Sequence, residues 1–152
     1  MQIRAITEND ADLCLSVVNQ TTEEDRYCRF FHCVQEFDNE SVQQFLLTNE
    51  SDICLIAHDE NIGYGIVQGF ITNNIAEVAI IVAKSARRHN VGHELMVAII
   101  DEVHARGCHT IEANTLGDNA AFRHLARSVG MKSSPPASQV VWTLTEEPQK
   151  AA

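Results

Sequence analysis

At 152 residues and 45% hydrophobic, the chain can bury one good core but is too short for two ordinary domains. Its formal net charge of -10, from 21 acidic and 11 basic residues, excludes non-specific attachment to nucleic acid or to an anionic membrane, both of which need a basic surface. A cationic partner, an amine or a lysine-bearing protein, suits it better.

Residues 2–6 alternate as a first strand, and Thr7, Asn9 and Asp10 supply capping chemistry for a helix running to about Val18. Residues 22–31 read as a second helix and residues 39–47 as a short third one, with Ser41 in capping position. The period then changes. Residues 52–58, 63–72 and 75–83 are apolar, β-branched runs separated by turn chemistry at 59–62 and at Asn73 and Asn74, which predicts three consecutive antiparallel strands. Val91, Leu95, Ile99 and Val103 form a helical stripe over 91–106 that Gly107 ends. A strand over 109–114, a helix from Asp118 or Asn119 to Val129 stopped by Gly130, and a last strand over 139–145 complete the order. There is no repeat and no linker, so one domain over 1–146 with a polar, fraying tail at 147–152 is expected.

Five cysteines, Cys14, Cys28, Cys33, Cys54 and Cys108, lie scattered in apolar segments, which argues against a disulfide framework and for a cytoplasmic protein. Cys28, His32 and Cys33 match no common zinc spacing, so no metal is expected. No apolar leader core opens the chain, and no run approaches the roughly 18 residues of a membrane span.

The stretch AEVAIIVAKSARRHNVGHEL, residues 76–95, passes from a strand-like run through a basic turn directly into a helix. Backbone N–H groups and the positive end of the helix dipole converge at such a junction, and Lys84, Arg87, Arg88 and His89 add local positive charge to an acidic chain. The junction is a ready phosphate site.

The turn resembles the pyrophosphate loop (Gln/Arg)-x-x-Gly-x-(Gly/Ala) of the GNAT acyl-CoA N-acyltransferases, with Arg87, Asn90 and Gly92 in register. Asn90 stands where the family usually has Gly, a mild departure because Asn tolerates a left-handed backbone. The predicted element order is similar to the GNAT fold over nearly the whole chain. The resemblance implies an α+β fold: a central, mostly antiparallel sheet with helices on both faces. It also implies acetyl-CoA as co-substrate, held by Val82, Arg87, Arg88, His89, Asn90, Val91, Gly92 and His93, and on the following helix by Asn119 and Phe122. The Asn119 side chain would bond the pantetheine or phosphate arm, although an Asn there also caps a helix in any protein.

Acyl transfer to an amine needs a base for the ammonium and a donor for the oxyanion. Glu77, a carboxylate opening the run VAIIV, is the candidate base, acting through one water with a pKa raised by burial. The family often places its catalytic Glu on this strand, and the resemblance makes the Val82 N–H the oxyanion donor. Many members carry a Tyr seven residues after the helix Asn, as general acid; here that position is Ala126. CoA thiolate, the conjugate base of a thiol of pKa about 8.5, can depart without it.

One further segment, TEEDRYCRFF at 22–31, resembles S-x-E-S-R-Y-L-R-F-F at the start of the acetyltransferase domain of Pat-type protein lysine acetyltransferases. That likeness implies that Arg26, Tyr27, Arg29, Phe30 and Phe31 shape the acceptor side; an amphipathic helix with its aromatics in the core explains the same residues. A protein lysine is then the first expected acceptor. A small amine (polyamine, aminoglycoside or amino acid) and a CoA-binding regulator without turnover stay open, as does a homodimer.

Overall fold

The computed structural model describes residues 1–21, 51–87 and 89–145. The helices expected over 22–31 and 39–47, the motif at 22–31 with Cys28, His32 and Cys33, the residue Arg88, and the tail at 147–152 lie outside the described residues.

Strand β1 (Gln2–Ala5) leads through a single 3-10 turn at Glu8–Asp10 into helix α1 (Ala11–Val18). Thr7 and Asp10 form the expected reciprocal cap, but on the 3-10 turn rather than on the helix itself. Strands β2 (Ile53–Asp59), β3 (Ile62–Thr72) and β4 (Ile75–Val82) form the antiparallel meander. Asn73 and Asn74 both take positive φ, 52° and 63°, which gives the β3–β4 hairpin a twist matching its strands. After a 3-10 turn at Lys84–Ala86 come α2 (Val91–Ala105), β5 (Thr110–Leu116), α3 (Ala120–Ser128), β6 (Lys132–Ser133) and β7 (Gln139–Thr145). Gly107 and Gly130, φ 80° and 87°, follow the C-caps of α2 and α3 as the left-handed stop residues.

The seven strands form one sheet in the order β1-β2-β3-β4-β5-β7-β6. Every pairing is antiparallel except β4 with β5. Alternation along the strands sends Ile56, Ile66 and Ile81 to one face, where α1 buries Cys14, Val17 and Val18 on them. Leu55, Val67 and Val78 face the other way, under Leu95, Met96 and Ile99 of α2, in a core that continues to Phe122 and Ala126 of α3. Helices therefore cover both faces.

Two glycines let the helices lie close. A register shift in the β2–β3 pair sets Ala57 opposite Gly65 and His58 opposite Gly63, so Tyr64 is extra and the two glycines turn to opposite faces. A Cβ on Gly63 would stand 2.6 Å from the Leu13 carbonyl of α1, and one on Gly65 would stand 2.8 Å from Leu95 of α2. The second approach seats the start of α2 over the end of β4.

Candidate functional site

Strands β4 and β5 run side by side for only three residue pairs, Ile75–Thr110, Ala76–Ile111 and Glu77–Glu112. Beyond Glu77 and Glu112 they part, while β4 keeps its full register with β3 as far as Gly65–Val82. A gap opens between the C-terminal half of β4 and β5.

The direction of the β4 backbone follows from hydrogen-bond parity. The Asp52 N–H donates to Gly69 O and the Ala83 N–H donates to Tyr64 O, so Ile66 and Ile81, like Tyr64 and Ala83, exchange bonds across β3–β4. Ile80 and Val82 are the intervening residues, and their N–H and C=O groups point away from β3, into the gap. The Val82 N–H thus has the direction that an oxyanion donor needs. Ile80, which nothing in its residue type singles out, has the same orientation.

The basic turn borders this gap. The Arg87 Nη2 donates to Val82 O in a long 3.5 Å contact. The Lys84–Ala86 turn is held against the end of α1, where the Lys84 N–H donates to Gln20 O at 2.9 Å and the Ser85 hydroxyl to Gln20 Oε1 at 2.5 Å. Asn90 takes φ 65°, ψ 12° as the α2 N-cap, so it supplies the left-handed conformation expected of it, and its side chain makes no capping bond. The first helical bond is Glu94 N–H to Asn90 O, so the N–H groups of Val91, Gly92 and His93 have no acceptor within the helix. Lys84, Arg87, His89 and Asn90 are exposed, whereas the Val91 side chain is buried in the core, leaving its backbone as what it can offer a ligand. A Cβ on Gly92 would lie 3.4 Å from Leu125 and 3.7 Å from Val82, so α2, α3 and the end of β4 meet around this glycine.

The remaining candidates carry structural duties. Asn119 is the N-cap of α3, its Oδ1 accepting from the Phe122 N–H at 3.1 Å, which leaves its amide NH₂ to donate. Phe122 is buried edge-on to Trp142, ring centroids 6.5 Å apart, and its side chain belongs to the core. His93 Nδ1 lies 2.9 Å from Ser128 Oγ, and the Ser128 hydroxyl spends its proton on Leu125 O at 2.6 Å, so His93 Nδ1 carries hydrogen and donates. That bond ties the first turn of α2 to the last turn of α3.

Glu77 corrects one expectation: it is exposed, not buried. It lies three residues beyond the Asn73–Asn74 turn on the α1 face, and alternation buries its neighbours Ala76 and Val78 on the opposite face instead. A strand rise of about 3.3 Å per residue separates it from Val82 by about 16 Å and from Ile80 by about 10 Å. One relay water does not span 16 Å.

A sequence model described as Acetyltransferase (GNAT) family matches residues 16–131, three-quarters of the chain. The chain belongs to the GNAT acetyltransferase family. Among solved structures, the GNAT domain of S. lividans PAT superposes with a TM-score of 0.83 at 22% identity, covering 95% of this chain and 89% of that one. Ribosomal-protein-alanine N-acetyltransferase from Brucella melitensis gives 0.75 at 23% identity, covering 96% and 99%. The yncA protein from Salmonella typhimurium, solved with its cofactor acetyl-CoA, gives 0.65 at 16% identity, covering 99% and 96%. At these identities the likeness is one of fold. Among the described residues no helix is long and apolar enough to cross a membrane, and no three His, Cys, Asp or Glu side chains gather as metal ligands.

Proposed function

We propose that this GNAT chain, as a single domain over 1–146 with a tail at 147–152, transfers an acetyl group from acetyl-CoA to a primary amine by direct attack in a ternary complex. The observation that carries the reading is the parting of β4 from β5 beyond Glu77 and Glu112, with the Ile80 and Val82 N–H groups turned into the gap and the open α2 N-terminus at its end. Acetyl-CoA supplies an activated acyl group as a thioester. The N–H groups of Asn90, Val91, Gly92 and His93, with the Arg87 guanidinium, suit its phosphates, and the His89 side chain and, from the sequence, Arg88 add positive charge to the same turn. The free amide hydrogens of Asn119 suit its arm, and Phe122 acts by holding α3 in place. Val82 or Ile80 donates to the thioester oxygen. Glu77 takes the amine proton through a chain of waters, and its exposure supports an acceptor that arrives from solvent.

A protein lysine is the first acceptor class, on the likeness of residues 22–31 to Pat-type enzymes; a polyamine, aminoglycoside or amino acid is the second. Cys14 and Cys108 are buried and Cys54 is partly buried, and none of these three described cysteines is in a disulfide, which supports placing the enzyme in the cytoplasm. A CoA-binding regulator without turnover is favoured by one feature, the fully buried Ala126 where a general acid often stands. Calorimetric titration of acetyl-CoA, followed by thiol release on adding amines and lysine-bearing proteins, tests the proposal. Binding with acceptor-dependent release supports the transferase and names its acceptor class. Binding without release supports the regulator, and no binding overturns both.

A further inference from the structure

A cavity of about 150 Å³ opens between α3, the end of β5, and the β6–β7 segment. It is lined by Arg123 and Arg127, one turn apart on α3, and by Thr115, Asn119, Ser134, Val140 and Trp142. Thr115 shares a strand face with Ile111 and Ala113, opposite to Glu112 and Glu77, so the cavity lies across the sheet from the proposed acceptor side. Its chemistry is mixed in a specific way. Thr115 is 6% exposed, yet its Oγ1 has no hydrogen-bond partner among the described residues. Ser134 Oγ accepts from the Val141 N–H at 3.0 Å, which leaves its own proton to give. No ion pair engages Arg123 or Arg127 among the described residues. Val140 and Trp142 supply an apolar wall.

We infer that this cavity is a binding site for a small organic carboxylate, the anionic head taken by Arg123, Arg127 and the Thr115 hydroxyl and the apolar body by Val140 and Trp142. Two arginines on one helix face suit a planar carboxylate, because the guanidinium fork pairs with it through parallel bonds. A buried hydroxyl without a partner is satisfied when a ligand oxygen reaches it. A volume of about 150 Å³ is what a benzene-sized body occupies. The apolar wall sets this apart from a bare phosphate site, and the inference does not depend on the acetyl-transfer reading.

Trp142 is the only tryptophan of the chain, so its fluorescence reports the cavity directly. Titration of the full chain with sodium benzoate, excited at the red edge of the indole band, should give a saturable change, with benzamide and inorganic phosphate at least about tenfold weaker. Replacing both arginines, Arg123→Gln with Arg127→Gln, should weaken benzoate at least tenfold, and Thr115→Val about threefold or more. Should the double variant fail to fold, the exposed Arg127→Gln alone should still weaken benzoate severalfold. Absence of a saturable benzoate signal, equal binding of benzamide or phosphate, or undiminished binding by the folded arginine variants overturns the assignment.

Discussion

Glu77 and Glu112 are the last register partners of β4 and β5, the one parallel pair among the described residues, and both side chains stand on the α1 face. Neighbouring strands lie about 5 Å apart, so two carboxylates meet where the strands begin to part. Two carboxylates this close favour a cation between them. Glu77→Gln should lower kcat by a factor on the order of 10² to 10⁴ with acetyl-CoA affinity within about twofold, as removal of a general base does. Glu112→Gln should instead raise KM for a cationic acceptor by about three- to tenfold with kcat nearly kept, the effect of one nearby charge at partial exposure. Steady-state kinetics on both variants separates the roles, and equal loss of kcat in the two would refute the division.

Asn90 holds a left-handed backbone without a capping bond from its side chain, so its value lies in conformation. Asn90→Ala should cost roughly 1 kcal/mol, because a Cβ without a compensating polar group is disfavoured there. For a chain of this length that lowers Tm by about 2–4 °C. Asn90→Gly should leave Tm within about 2 °C and bind acetyl-CoA at least as tightly, since it removes a side chain from the turn proposed to hold the phosphates. Thermal unfolding and calorimetry check both, and tighter acetyl-CoA binding by the Ala variant than by the Gly variant would contradict the conformational role.

The strand-to-helix junction was legible in sequence because its signals are local. Val91, Leu95, Ile99 and Val103 mark a helix face, Asn73 and Asn74 mark a turn, and an Asn two residues before a Gly marks a tight entry. What stayed illegible depends on distant partners. The parting of β4 from β5 is set by pairing across 35 residues of sequence, Glu77 with Glu112, and no local pattern encodes it. Burial of Glu77 was expected from the apolar run behind it, but which face of a strand is covered depends on where α1 ends. Lys84–Ala86 and Lys132–Ser133 are too short to carry a period, and the Thr115 cavity joins three separate segments.

Arg4 and Asp10 form a two-pronged pair, both bonds 2.8 Å, that ties β1 to the start of α1. Asp10 is 5% exposed and also accepts from the Thr7 N–H and hydroxyl. The Arg4 guanidinium, opposed by burial and helped by the Thr7 bonds, holds its carboxyl far below the usual carboxylate range. A folded-state pKa below the unfolded value of about 3.9 gives stability that is fully present at higher pH and is lost as pH falls from about 4 toward the folded value. Asp10→Asn should cost roughly 2–4 kcal/mol at pH 7, leaving Arg4 its bonds to His58 and the Ala5 carbonyl but no anionic partner. The difference from wild type should shrink steadily below pH 4. Urea unfolding at pH 7 and pH 3 reads this, and a constant difference would show that packing rather than charge is lost.

Ala126 occupies the position where many GNAT enzymes carry a tyrosine, and here it is fully buried, with its carbonyl accepting from the Met131 and Val129 N–H groups at the end of α3. Ala126 belongs to the buried core beside Leu95, Phe122 and Met131, so a ring at this position has to displace neighbours. Ala126→Tyr should therefore act first as overpacking, at a cost of about 1–3 kcal/mol and a Tm lower by about 3–10 °C. The gain that a general acid would bring is small when the leaving group is a thiolate stable near neutral pH, so kcat should rise by less than about threefold. A variant that keeps its Tm and gains tenfold or more in kcat would mean that α3 presents residue 126 to the cofactor after all. The wild-type enzyme would then be one that lost its acid rather than one built to work without it.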